Sequence, residues 1–184
     1  MNFDQRVTRA LGLSERARLA FVAAVVEHAL RAIWADLADR GDDALATAAA
    51  EQIWSVVDGR PVDGDALAAS ERDAIDAAPD TEDEPEAEDV TFALIALAHA
   101  CRVARGVDVD DNVSAAVSSC EQAIGAHVAG SRQDDRSLDE LANADPLEWQ
   151  DYPEVRAEIH YQLAILDTLE QGTSIPDRAS LLAL

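Results

Sequence analysis

Glu27 interrupts a stripe that is otherwise apolar. Leu19, Val22, Val26, Leu30, Ile33 and Leu37 recur at spacings of three and four, the period of one helical face. A carboxylate at the edge of such a stripe requires a partner when it is buried, and a bidentate guanidinium from Arg102 or Arg156 meets that need. Glu158 and Gln162, four residues apart on a second helical stretch, share a face and extend the same network. Glu27, Glu158 and Gln162 are therefore the candidate ligand-binding residues. Two readings stand side by side: polar contacts that hold helices in register, or a site for a polar ligand.

Other chemistries find less support. A di-iron bundle requires Glu-x-x-His pairs, yet the residues three before His28, His99, His127 and His160 are Val25, Ala96, Ile124 and Ala157. His99, Cys101 and Cys120 offer zinc donors, but no Cys-x-x-Cys or His-x-x-x-His spacing assembles them. Magnesium-dependent helical enzymes present acidic pairs from adjacent helices. Here the acids crowd into loops, with Glu154 and Glu158 sharing a face one turn apart. No glycine-rich phosphate loop, nucleophile elbow or basic stripe with aromatics occurs. The sequence assigns no catalytic residue, no metal ligand and no cofactor.

The elements that position these residues read as helices. From Val90 to Ala104 only Thr91, His99 and Arg102 are polar, so this segment is expected to be buried all round, capped by Asp89 and ended by Gly106. A short leading helix over 3–12 precedes a long one from Ser14 to about Asp39, closed by Gly41. Helices follow from Asp42 or Asp43 to Gly59, with Leu45, Ala49, Ile53 and Val56 on one face, and over 65–77. After the loop 107–110, Val113, Val117, Cys120, Ile124 and Val128 mark another, ended by Gly130. A turn over 138–141 and a capping-box spacing at Asp145-Pro146-Leu147-Glu148 come next. The last long helix runs from Pro153 to about Gln171 on Val155, Ile159, Leu163, Leu166 and Leu169, and the apolar tail 175–184 docks back. The acidic run between Pro79 and Asp89 has nothing to bury and reads as an exposed, mobile connector. The expectation is an all-α, single-domain bundle of about six to eight helices around a central buried helix.

Composition narrows the partners. Fourteen basic residues, all arginine, face 37 acidic ones, for a net charge of −23. Such a surface repels phosphate backbones and anionic lipid, which argues against nucleic-acid and membrane partners. It is also the surface of a protein adapted to concentrated salt, where counterions screen self-repulsion. With no basic segment ahead of an apolar core near Met1, a cytoplasmic location is expected. Cys101 and Cys120 read as small buried thiols, offset along their hairpin by roughly 7 Å, beyond bridging distance.

Four stretches carry a family likeness: Phe21-Val-Ala-Ala-Val-Val-Glu27, Ile53-Trp54, the run from Val90 through Cys101, and Tyr152-Pro153-Glu-Val-Arg-Ala-Glu158-Ile-His-Tyr-Gln162. In this order they resemble the YjaG-like family of all-helical bacterial proteins. Where that family has arginine after the first-helix glutamate, this chain has His28, and the Pro and Tyr that follow there are missing. The resemblance implies a helical fold and carries over no catalytic residue. Trp34, Trp54, Leu181, Leu182 and Leu184 are difficult to place in one small core, and leftover apolar surface marks contact sites. The functional expectation is a non-catalytic protein acting through protein contacts, as a homodimer. The alternative is a small-molecule or metal-dependent enzyme around Glu27, Glu158 and Gln162.

Overall fold

The computed structural model describes residues 1–131, 152–172 and 174–184. Every regular element among them is helical, so the fold is an all-α bundle. In chain order these are α1 (Phe3–Gly12), α2 (Glu15–Ala32), α3 (Trp34–Arg40), α4 (Asp43–Val57) and α5 (Gly64–Ala77). A 3-10 turn (Pro85–Ala87) then precedes α6 (Glu88–Ala104), α7 (Val109–Ser131), α8 (Pro153–Gln171) and α9 (Arg178–Leu181). The readings for 138–141 and 145–148 lie outside the described residues.

α6 occupies the centre that its composition demands, packed against α2, α4, α5 and α7. Leu94, Leu97, Ala100 and Cys101 are fully buried, and each large side chain among them contributes about 1.5–3 kcal/mol over an exposed position. Its C-terminus is a Schellman motif: Gly106, at φ 72°, donates to Val103 O, and Val107 donates to Arg102 O. The start differs from expectation. Asp89 sits inside the first turn of α6, where its carboxylate accepts from the adjacent Val90 N–H and from His127, and Ala87 takes the cap position without a side-chain bond.

α2 is as central as α6. Every residue from Leu19 to Glu27 is buried, not a single stripe, because α1, α4, α6, α7 and α8 all pack on it. The alanines at 20, 23, 24 and 29 make this possible, since they let neighbouring backbones approach closely. The helix expected to reach Asp39 breaks at Ile33 (φ −108°, ψ 19°), and α3 carries the chain to Gly41, whose φ of 82° closes it. This break and the short α9 in the tail take the element count to the nine α-helices of the described residues, above the expected six to eight.

Trp54 is 2% exposed and Leu181 0%, so both leave the set of surplus apolar residues, while Trp34 is 40% exposed and Leu184 54%. The acidic run is wound into turns around Asp80, which accepts from Glu82, Asp83 and Glu84 backbone N–H groups. It is pinned at its start by Thr91 donating to Pro79 O and in its middle by the Arg40–Glu84 pair, although most of its acids do face water as their charge requires. α7 continues through the expected stop at Gly130 to Ser131. Both cysteines are free and buried.

Candidate functional site

Glu27 lies on the side of α2 that faces α4 and the C-terminal α9. Its Oε2 accepts from the buried Trp54 indole at 2.7 Å and from Arg178 Nε at 2.8 Å. Its Oε1 accepts from Arg31 Nη2 at 2.7 Å and Arg178 Nη2 at 3.0 Å. Burial alone would raise this carboxyl. The hydrogen bonds from Arg178, Arg31 and Trp54 outweigh that and hold it below the usual carboxylate range. Arg178 also pairs with Glu51 and stands over the Trp54 ring, 5.8 Å from its centroid. The guanidinium partners expected from Arg102 and Arg156 are therefore not the ones used. Arg102 pairs with Glu71 instead, and Arg156 is exposed.

Glu158 and Gln162 belong to a second network on another side of α2. Glu158 is 1% exposed and Gln162 is fully buried. Gln162 Nε2 donates to Glu158 Oε1 at 3.0 Å, and His28 Nδ1 lies 2.6 Å from Glu158 Oε2. The His28 ring stacks on Tyr161 at 4.1 Å, and burial together with the Glu158 charge pushes the Tyr161 hydroxyl up. From α1, fully buried Arg6 donates through Nε to Gln162 Oε1 at 3.1 Å and pairs through Nη2 with Glu121 of α7. Burial raises the Glu121 carboxyl above its ordinary value, against the pull of Arg6.

The three candidate residues thus do not share one site. Glu158 and Gln162 touch; Glu27 belongs to a separate cluster. A depression of about 220 Å³ opens beside Glu27, lined also by Leu30, Arg31, Trp34, Thr47 and Arg178. A larger one of about 510 Å³ lies elsewhere, between Arg16, Arg18, Leu19, Val56 and Arg105, where Arg18 is bonded to Leu11 O and Leu13 O and Arg105 to Glu71.

The zinc donors considered from the sequence are not brought together. His99 Nδ1 bonds Asn112 at 2.7 Å, and burial pushes the Cys101 thiol up to about 12 and Cys120 well above its ordinary value. Another set does converge among the described residues: Asp36, Asp89 and His127 present donor atoms within 4.8 Å of one another. Nothing in their spacing signals this, because each comes from a different helix.

Arg6 is the other residue that sequence reasoning missed. An arginine in a short leading helix reads as surface, and its only signal is that it shares a turn with Val7 and Ala10, which are also buried. On α8 the apolar count favoured Ile159 and Leu163, but the buried face runs through Val155, Glu158, Gln162, Ile165 and Leu169. No helix among the described residues is long and apolar enough to cross a membrane. No family model, curated protein or solved structure matches the chain.

Proposed function

We propose that this is a non-catalytic helical protein that acts through protein contacts, as a homodimer in salt. The observation that carries this reading is the engagement of its buried acids. Glu27 holds an indole and two guanidinium groups, and Glu158 holds an imidazole and an amide. A general base must be free to take a proton within hydrogen-bond reach, and these carboxylates are already committed to fixed donors. Membership of the YjaG-like family that the sequence resembles would fit a helical scaffold.

Exposed Trp34 supports a place for the contact. It stands at the 220 Å³ depression beside Arg31 and Arg178, which are balanced by Glu27 and Glu51. On a chain of net charge −23 this neutral patch is where a second acidic copy meets less repulsion. Large aromatic side chains flanked by arginine are the common anchors of such contacts. Trp34→Glu should give a monomer by light scattering under conditions where the wild type gives a dimer. Equal masses for the two would overturn the assignment of this face.

The second reading, a small-molecule or metal-dependent enzyme expected around Glu27, Glu158 and Gln162, keeps only Glu27 of the three, because the depression opens on Glu27 while Glu158 and Gln162 are buried in the other network. A ligand bound by the wild type and lost in a folded Glu27→Gln variant would establish it.

A further inference from the structure

We propose that Asp36, Asp89 and His127 form a binding site for a zinc-class divalent cation. His127 Nδ1, on α7, lies 2.9 Å from Asp89 Oδ2 at the start of α6 and 3.3 Å from Asp36 Oδ2 on α3. An ion held at about 2.0–2.2 Å by nitrogen and carboxylate oxygen sets tetrahedral donor pairs at roughly 3.3 Å. Two of the three donor pairs are therefore already near that spacing, and all three donors lie within 4.8 Å of one another. Three helices supply one donor each, so the arrangement is built by tertiary packing and not by crowding of acids along one segment.

Orientation is fixed ahead of binding. Asp89 is buried, and its Oδ1 accepts the Val90 N–H at 2.8 Å, which turns Oδ2 toward His127. Outer hydrogen bonds of this kind orient metal ligands and support affinity. The break at Ile33 redirects the chain so that α3 presents Asp36 to the same corner.

The donor chemistry selects the ion. Imidazole favours zinc, cobalt and nickel over magnesium and calcium, and two carboxylates make the ion's charge welcome. Three protein donors, with Asp36 and His127 part-exposed, leave a position for water, as in open zinc sites. Neither cysteine competes, because burial keeps both as thiols. A bound ion would tie α3 to α6 and α7.

The test uses the full chain, stripped with chelator, in KCl with excess Mg²⁺ to mask weak sites on its acidic surface. Titration with Zn²⁺ by calorimetry, and with Co²⁺ followed by visible absorption, should show one ion per chain that Mg²⁺ does not displace. Asp36→Asn, at the part-exposed position, and His127→Ala should each weaken binding by about 100-fold or more, since loss of an outer partner alone costs about 10–100-fold. Circular dichroism unchanged from the wild type shows that the variants are folded, and Asp36→Asn serves if His127→Ala is not. No stoichiometric Zn²⁺ binding, displacement by Mg²⁺, or equal affinity in a folded variant would overturn the proposal.

Discussion

Replacing Glu27 separates the buried bond in its network from the wet ones. Methionine keeps the approximate length of the side chain but accepts none of the bonds from Trp54, Arg31 and Arg178. The Trp54 indole, 2% exposed, is then left without its acceptor, at about 1–3 kcal/mol for an unsatisfied buried donor. Arg31 and Arg178 have side chains 58% and 32% exposed and can turn to water, so their loss is discounted to about 0–1 kcal/mol each. Glu27→Met should thus cost about 1–5 kcal/mol. Glu27→Gln keeps an oxygen for the indole but loses the charge and puts an amide NH2 where Oε1 accepted from Arg31 and Arg178, which can turn to water, for about 1 kcal/mol. Urea at constant KCl is the right denaturant, because guanidinium chloride would itself screen the acidic surface. Adding Trp54→Phe to the methionine variant removes the orphaned donor, so the two changes should cost less together than their sum. A methionine variant as stable as the glutamine one would refute this account of the network.

Leu97→Ala, in the fully buried centre of α6, should cost about 2–5 kcal/mol by chemical denaturation; an unchanged midpoint would mean that α6 is not the core. Thermal stability should rise between about 0.05 and 1 M KCl, as the Debye length falls towards about 3 Å. Salt also weakens surface pairs such as Arg9–Asp167 and Arg60–Asp58, but 37 acids against 14 arginines make repulsion the larger effect. Because the Glu27 carboxyl is held low in the folded state, its share of stability is complete above the ordinary glutamate value and is lost as pH falls through the lowered one. The stability gap between wild type and Glu27→Gln should therefore narrow below about pH 4, measured by thermal unfolding; a constant gap would contradict the depressed value.

The helical period made most of this fold legible. Leu19, Val26 and Leu30, or Val113, Val117 and Cys120, announce their faces directly, and Gly41 and Gly106 mark stops that the backbone realises at positive φ. Burial of alanine was less visible, because alanine occupies core and surface helix alike. That is why α2 reads as striped when it is enclosed. The candidate residues were located as polar groups within apolar faces, yet their partners were not. Arg178 and Trp54 reach Glu27 from α9 and α4, and Arg6 reaches Gln162 from α1, over sequence separations that no spacing rule spans. The Asp36, Asp89 and His127 corner is hidden for the same reason, compounded by the break at Ile33 that helical periodicity does not foretell.

We propose that this chain works by contact with a second copy of itself. Sedimentation equilibrium of the wild-type chain at micromolar concentration in about 1 M KCl, where repulsion between acidic copies is screened, tests it most directly. Twice the chain mass is predicted, and a single-chain mass across the whole concentration range would contradict it.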